Sequence, residues 1–219
     1  MNNLKKINKG VRIIIGAQDI QAEGIKVEKE QVSFDVDGVV FQVPTYGGHN
    51  IENLLLAIVV AKEMGMSLQE IAKAAHTMPL SLSAIHVERI SSGSTIIDST
   101  YSANPDGVIA DLDYLSLYKG KKALIMPCLI ELGSAAKEAH KKIGKKAVEI
   151  CDLVVITTKE HFENIKEGAG ESDKVVYSES ALDILEKVRG ADAILLEGGK
   201  ESRIQRQLIV ALTKKNKST

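Results

Sequence analysis

Hydrophobic and polar residues alternate along the early part of the chain. Apolar side chains occupy every second position on both sides of an Asp37-Gly38 pair. A period of two turns one face of a strand toward a core, and an Asp-Gly pair is typical of a two-residue β-turn. The pattern therefore predicts a β-hairpin. Its alternating residues are Val32, Phe34, Val36, Val39, Phe41 and Val43.

Two helices are predicted to follow the hairpin. Apolar residues recur at helical spacing from about Asn50, whose side chain suits a helix N-cap. The second helix opens with Ser67-Leu68-Gln69-Glu70, which has the sequence of a capping box. The apolar positions of the two helices are Ile51, Leu54, Leu55, Ile58 and Val59, then Leu68, Ile71 and Ala75.

From about residue 86, short apolar segments alternate with longer amphipathic ones. Alternating strands and helices predict an α/β fold with a mostly parallel sheet and helices on both faces. The predicted strands are 95–98, 123–126, 153–157, 175–177 and 193–196, and the predicted helices are 105–118, 134–150, 160–168, 179–189 and 201–213. The chain thus divides into residues 1–85, which look too small for a whole domain, and residues 86–219, a complete α/β domain.

Composition and charge narrow the class of protein. The 219 residues are 44% hydrophobic, which is ordinary for a globular protein, and the net charge of -1 gives no electrostatic argument for nucleic acid or an anionic membrane surface. No run is long enough to span a bilayer and no signal-peptide pattern occurs, so a cytoplasmic protein is expected. Two cysteines, Cys128 and Cys151, cannot form a disulfide framework and are expected to be buried free thiols.

The loop from Asp98 to Asp106 is the most informative candidate for chemistry. It lies between a predicted strand and a predicted helix, where Asn104 suits the N-cap and Pro105 the first helical position. Open α/β sheets usually bind ligands at the carboxyl ends of their strands, close to helix N-termini. A capped turn with a solvated Asp98 explains the same spacing equally well.

A second loop, Gly47-Gly48-His49-Asn50-Ile51-Glu52-Asn53, opens the first predicted helix. Free backbone amides and the amide side chains of Asn50 and Asn53 suit a phosphate or the polar edge of a base. An ordinary Gly-Gly turn with an exposed His49 accounts for the same residues.

Two more loops follow predicted strands. In the first, Glu131 lies at the edge of the expected ligand crevice, Ser134 is expected to cap the next helix, and His140 is expected on the surface of that helix. In the second, Glu197-Gly198-Gly199-Lys200 could hold a carboxylate or a phosphate.

Several common motifs are missing from the sequence. No Gly-Lys pair has the spacing of a P-loop, and no Gly-x-Gly-x-x-Gly, zinc-ligand set or Ser/His/Asp order stands out. The sequence therefore assigns no catalytic residue and no metal ligand.

Taken in order, these loops resemble the motifs of the Mur ligase family. That family carries Gly-x-His-Asn-x-x-Asn, then Arg-x-Glu, then a Tyr-Asn-Ala-Asn-Pro-Asp loop after an Asp, then Glu-Leu-Gly and a later His. The resemblance covers roughly residues 17–212. The matching residues are Gly47, His49, Asn50, Asn53, Glu88, Asp98, Tyr101, Ala103, Asn104, Pro105, Asp106, Glu131, Leu132, Gly133 and His140.

The resemblance implies a reaction and a domain plan. Such ligases activate a carboxylate as an acyl phosphate with ATP and magnesium, and an amine then attacks to form a peptide bond. Residues 1–85 would be the distal part of the central ATP-binding domain, and residues 86–219 the Rossmann-like C-terminal domain. The Tyr-x-x-Asn-Pro-Asp spelling favours the branch of the family that adds D-Ala-D-Ala to a UDP-muramoyl tripeptide.

The resemblance also implies residue roles and partners. The expected partners are the nucleotide, the UDP-muramoyl peptide and the dipeptide. These residues are either a fragment of a longer ligase or one half of a split enzyme, and in the second case a separate chain carrying the missing domains is a further partner. The net charge and the short apolar runs, rather than the resemblance, argue against nucleic acid and membrane partners. The nucleotide-binding residues would be His49, Asn50, Asn53, Asp98, Tyr101 and Asn104, with the asparagines 50 and 53 facing adenine and Asp98 holding the ribose. The substrate-binding residues would be Glu131, Gly198, Gly199 and Lys200.

Three departures from the family pattern limit this expectation. The family's P-loop, magnesium ligands and modified lysine have no counterpart in these residues. His86 stands where the Arg of Arg-x-Glu is expected, and an imidazole does not replace a guanidinium clamp. Ser102 and Pro127-Cys128-Leu129 also differ from the usual spelling. There are two alternative interpretations. The chain is a non-catalytic binding module, or it is part of a folylpolyglutamate- or cyanophycin-type ligase.

The first prediction concerns catalysis by the isolated chain. Because it has no P-loop sequence, we expect no phosphate release from ATP in the presence of UDP-muramoyl tripeptide and D-Ala-D-Ala, and at most weak ATP binding. A phosphate-release assay and a calorimetric titration measure the two. Turnover by this chain alone, or nanomolar ATP affinity, would contradict the expectation.

Overall fold

The computed structural model describes residues 11–15, 18–48, 50–80, 85–198 and 202–213. The chain divides into two compact units, residues 1–83 and 84–219. Within the described residues, no helix has the length and apolar character needed to cross a bilayer.

The first unit contains an antiparallel sheet in the order β1-β2-β3-β4. Its strands are β1 (Val11–Ile15), β2 (Gln18–Val27), β3 (Gln31–Val36) and β4 (Val39–Pro44). The predicted hairpin is confirmed as β3 and β4, with Val36 paired to Val39. Asp37 and Gly38 have φ angles of 49° and 81°, which is the conformation that a tight hairpin turn requires.

Both predicted helices of this unit are present, as α1 (Ile51–Glu63) and α2 (Leu68–His76). The capping box of α2 is confirmed, because Ser67 and Glu70 each bond the backbone N–H of the other. Both helices pack against the sheet and cover an apolar core. The core is centred on the stacked rings of Phe34 and Phe41, whose centroids lie 5.3 Å apart.

The second unit contains a six-stranded sheet in the order β5-β6-β10-β7-β8-β9. The last five strands of this order are parallel, which confirms the predicted mostly parallel α/β fold. The edge strand β5 pairs antiparallel with β6 and was not predicted. The strands are β5 (His86–Arg89), β6 (Thr95–Ser99), β7 (Lys122–Met126), β8 (Leu153–Ile156), β9 (Val175–Tyr177) and β10 (Ala193–Glu197).

Helices cover both faces of this sheet. On one face α3, α4 and α5 contact one another in succession, and α3 also contacts β10. On the other face α6 and α7 pack against apolar side chains that include Ile125, Ile194 and Leu196. The helices are α3 (Pro105–Leu115), α4 (Ala136–Ile150), α5 (Phe162–Gly168), α6 (Ala181–Lys187) and α7 (Arg203–Thr213).

Two glycines allow α4 and α5 to approach closely. A β carbon on Gly144 of α4 would collide with the carbonyl oxygen of Ile165, and one on Gly168 of α5 would collide with that of Lys141. Both obstacles are backbone atoms, which a rotamer change cannot move aside. Close contact of these helices holds α4 over the strands that carry the loops described below.

The second prediction tests this contact. We expect Gly144→Ala to lower the free energy of unfolding by about 1–3 kcal/mol, because the extra methyl group forces the helices apart. Lys145→Ala, at an exposed position of the same helix, is the control. Urea denaturation measures the free energy of unfolding of both variants. Helix propensity alone would favour Gly144→Ala, so a variant that is more stable than the original protein would contradict the packing argument.

Candidate ligand-binding edge of the parallel sheet

Three loops leave the carboxyl ends of neighbouring parallel strands in the second unit. β10 lies between β6 and β7. The helix that follows β10 lies on the opposite face from those that follow β6 and β7. Strand ends of this kind form the crevice in which open α/β sheets bind ligands.

The loop after β6 contains the predicted ligand Asp98. Its Oδ1 accepts hydrogen bonds from the backbone N–H of Thr100 at 3.0 Å and from Thr100 Oγ1 at 2.7 Å. The side chain is half-buried, and both of these hydrogen bonds use Oδ1 rather than Oδ2. The local turn that the spacing allowed is therefore present, and it leaves one carboxylate oxygen for a ligand.

The start of α3 follows the sequence prediction. Asn104 Oδ1 accepts from the backbone N–H of Gly107 at 2.9 Å, and Pro105 is the first helical residue. Tyr101 is 63% exposed. The roles of Asp98, Tyr101 and Asn104 in nucleotide binding stay predictions.

Asn50 does not cap α1 as expected. Its side chain makes no capping bond, and its Nδ2 instead donates to Thr45 Oγ1 at 3.0 Å. The backbone of Asn50 is already helical, which directs the side chain away from the free amides of the first turn. Asn53 is exposed on α1, and His49 lies outside the described residues. A nucleotide role for these three residues also stays a prediction.

The loop after β7 surrounds a cavity of about 320 Å³. Glu131 has a positive φ of 61°, and it lines the cavity together with Glu160 and His161. The expected cap at Ser134 is wrong, because a 3₁₀ turn occupies Gly133–Ala135 and α4 begins at Ala136. The remaining lining residues are Leu129, Ile130, Leu132, Gly133 and Ala136.

His140 is buried rather than on the surface, which corrects the sequence expectation. Its Nε2 accepts from the backbone N–H of Leu129 at 2.9 Å, so Nδ1 carries the hydrogen and donates to the Ala136 carbonyl at 2.6 Å. The ring also stacks on His161, with centroids 4.4 Å apart. His140 therefore holds the two ends of the Glu131 loop together.

The protonation of His140 follows from this geometry. Burial lowers its pKa, the bond to Ala136 opposes that shift, and the neighbouring His161 adds to it. Protonation would also turn Nε2 into a donor facing the Leu129 N–H. The neutral imidazole is thus the form that fits the fold.

The loop after β10 begins with a buried carboxyl group. Glu197 was predicted only as part of a Gly-rich loop, but it is the last residue of β10 and is 1% exposed. Burial, followed by the charge and hydrogen bond of Asp111, raises its pKa well above the ordinary value. Gly199 and Lys200 lie outside the described residues, so their substrate role is not tested.

Gly198 and α7 are held close to neighbouring loops. Gly198 has a φ of 146°, which is unfavourable for other residues. Further on, Ser202 Oγ donates to Gln205 Oε1, and the buried Gln205 donates from Nε2 to Thr157 Oγ1 at 3.3 Å. The start of α7 is thereby fixed to the end of β8.

The two cysteines are buried free thiols, as expected. Burial raises the pKa of Cys151 to about 12, so this thiol is unreactive. The described part of the chain contains no group of three or more His, Cys, Asp or Glu side chains that could hold a metal ion.

Comparison with known proteins identifies the family. The profile described as "Mur ligase, glutamate ligase domain" matches residues 85–199. This chain belongs to the Mur ligase family. A UDP-N-acetylmuramoyl-tripeptide–D-alanyl-D-alanine ligase of Bacillus subtilis is 26% identical over 200 residues, which are 85% of this chain and 43% of that protein. The corresponding Mycobacterium leprae ligase is 33% identical over 132 residues, covering 52% of this chain and 26% of that protein.

Solved structures show the same fold. A crystal structure of MurF from Acinetobacter baumannii has a TM-score of 0.72 at 21% identity, covering 91% of this chain and 46% of that one. MurF from Thermotoga maritima, solved in complex with ADP, has a TM-score of 0.70 at 20% identity, covering 89% and 46%. The chain thus spans less than half the length of these relatives.

The third prediction tests the neutral His140. Because the folded state resists protonation of this ring, the free energy of unfolding should fall as the pH drops below about 6.5, the ordinary pKa of histidine. His140→Asn should remove that part of the decline and cost about 1–3 kcal/mol at neutral pH, because two buried backbone groups lose their partner.

Denaturant titrations over a range of pH measure this effect. His86→Asn, on the exposed edge strand β5, is the matched control and should keep the pH dependence of the original protein. An unchanged pH profile in the His140 variant would contradict the assignment.

Proposed function

We propose that this chain is the carboxyl-terminal part of an ATP-dependent ligase that adds D-Ala-D-Ala to UDP-N-acetylmuramoyl-tripeptide in peptidoglycan synthesis. The match to the Bacillus subtilis ligase over 85% of the chain carries this proposal. The crevice-forming strand ends and the Asp98–Asp106 loop support it, because they offer polar groups where such a fold binds ligands.

The residues of the Asp98 loop suit a nucleotide. Asp98 is half-buried and held in place by Thr100, with Oδ2 available to accept from ribose hydroxyls. A carboxylate that is already oriented loses little entropy when it binds such a group. Asn104 uses Oδ1 to cap α3 and keeps its Nδ2 donors, which can reach a ligand at the helix start.

Binding the phosphates of ATP and its magnesium ion requires a phosphate-binding loop and metal ligands. The 219 residues contain no P-loop sequence, and the described part offers no cluster of metal ligands. In this proposal the phosphate-binding and metal-binding groups come from protein outside these residues, and ATP provides the energy for acyl activation there. Residues 1–85 would supply the distal part of the central domain.

The fourth prediction tests this function with a fusion protein. The part of the Bacillus subtilis ligase that this chain does not match is joined to this chain. We expect the fusion to release phosphate from ATP only when UDP-muramoyl tripeptide and D-Ala-D-Ala are both present. The intact Bacillus subtilis ligase is the positive control.

Variants of the fusion test the role of Asp98. Asp98→Asn should raise the KM for ATP roughly tenfold to a hundredfold, because it removes a charged hydrogen-bond acceptor. Asp173→Asn, which removes an exposed carboxylate away from the loops, should leave the KM unchanged. A fusion that folds but shows no dipeptide-dependent turnover would favour a non-catalytic binding module instead.

A further inference from the structure

Two buried carboxyl groups and a half-buried hydroxyl lie together at the carboxyl end of the sheet, outside the proposed ligand contacts. Glu197 ends β10 and is 1% exposed, and Asp111 on α3 is 5% exposed. Ser99 on β6 is the register partner of Glu197. Carboxyl groups are almost never fully buried unless they are paired, so this cluster requires a physical explanation.

Hydrogen bonds join the three side chains. Ser99 Oγ donates to Asp111 Oδ2 at 2.6 Å, a distance typical of a hydroxyl bound to a carboxylate. The Glu197 side chain hydrogen-bonds to Asp111. Its other oxygen, Oε1, has no hydrogen-bond partner among the described residues.

This arrangement requires one proton. Two ionised carboxylates repel each other and cannot share a hydrogen bond, so one of the two groups is neutral. The unpaired Oε1 indicates that Glu197 is the neutral one. The carbonyl oxygen of an acid costs much less to bury without a partner than the oxygen of a carboxylate does. Asp111 then accepts hydrogen bonds from both neighbours, Ser99 and Glu197.

The groups around Glu197 favour its protonated, neutral form. Asp111 on α3 is the charged group that acts on Glu197 within the described chain. β6 presents the hydroxyl of Ser99, and α7 brings the side-chain methylene Cγ of Gln205 next to Gly198. Neither side chain carries a charge. Within the described residues, no cation is among the groups that act on Glu197, so a second negative charge there has no compensation.

The cluster also connects two of the loops at the sheet edge. Ser99 directly follows Asp98, and Glu197 directly precedes Gly198. A β carbon on Gly198 would lie 3.2 Å from Pro127 Cδ, so the chain has little room to shift at that point. Loss of the cluster would therefore displace the Asp98 loop relative to β10.

We propose that Ser99, Asp111 and Glu197 are positioning residues, which hold the Asp98 loop and the turn at Gly198 in place through a single proton shared by two buried carboxyl groups. They act through the backbone and do not touch the ligand. The ligand part of this inference rests on the proposed function, whereas the proton can be detected in the chain alone.

Infrared spectroscopy of the isolated chain detects the proton directly. At neutral pH we expect the carbonyl stretch of one protonated carboxyl group, with a shift when glutamate is isotopically labelled. The band should be absent from Glu197→Gln and present in Asp113→Asn, which removes a half-exposed carboxylate on the same helix. Absence of the band from the original protein, or its persistence in Glu197→Gln, would overturn the proposal.

Amide NMR tests the positioning role. Glu197→Gln keeps a donor toward Asp111 and should leave the resonances of Thr100 and Gly107 unchanged, whereas Glu197→Leu should shift both. Both variants must first retain the resonances of α4, which shows that they are folded. Unchanged loop resonances in a folded Glu197→Leu would overturn the positioning role.

Kinetics in the active fusion connect the cluster to the ligand. Glu197→Leu should raise the KM for ATP by about tenfold with a smaller effect on kcat, and Glu197→Gln should restore it. Equal kinetics in the leucine variant would overturn the inference while leaving the proposed function intact. An inactive fusion would count against the proposed function, and the infrared and NMR results would still decide the role of the cluster.

Discussion

The central constraint on this structure is that polar groups at the carboxyl edge of the parallel sheet are removed from water and must be satisfied by one another. Burying such a group without a partner costs free energy of the same order as a lost hydrogen bond. His140 meets this requirement for Leu129 and Ala136, and Gln205 meets it for Thr157. The loops thus take their shape from internal hydrogen bonds, before any ligand arrives.

The parts that could be predicted from sequence depend on local interactions. The Asp37-Gly38 hairpin, the Ser67-Glu70 capping box and the Asn104 cap each involve residues close together in the chain. The parallel sheet was predictable because each βα unit repeats the same pattern of short apolar and longer amphipathic segments. Strand β5 was missed because it is a short, partly exposed edge strand with little apolar patterning.

The parts that could not be predicted depend on residues far apart in the chain. Lysines flank His140 in the sequence, which indicates an exposed helix face. Its burial is seen only once the fold places Leu129 and His161 against its ring. Glu197 looks like an ordinary loop carboxylate until the register of β10 with β6 places it beside Ser99 and α3. Asn is a residue type that commonly caps helices, but the helical backbone of Asn50 directs its side chain to Thr45 instead.

The family resemblance and the fold reveal different parts of the same sheet edge. The motif residues around Asp98 belong to the resemblance, whereas the buried carboxyl pair behind them emerges only from the fold. In our proposals the Asp98 loop faces the ligand, and the buried carboxyl pair supports that loop from behind. The Asp98 carboxylate itself is oriented by Thr100, whose backbone N–H and hydroxyl both donate to Oδ1.

Titration of the isolated chain with millimolar ADP, followed by amide NMR, tests this account most directly. The account predicts weak, saturable shifts concentrated in the loop from Asp98 to Gly107 at the carboxyl edge of β6. Shifts confined to the opposite edge of the sheet, or none in this loop at saturating ADP, would contradict it.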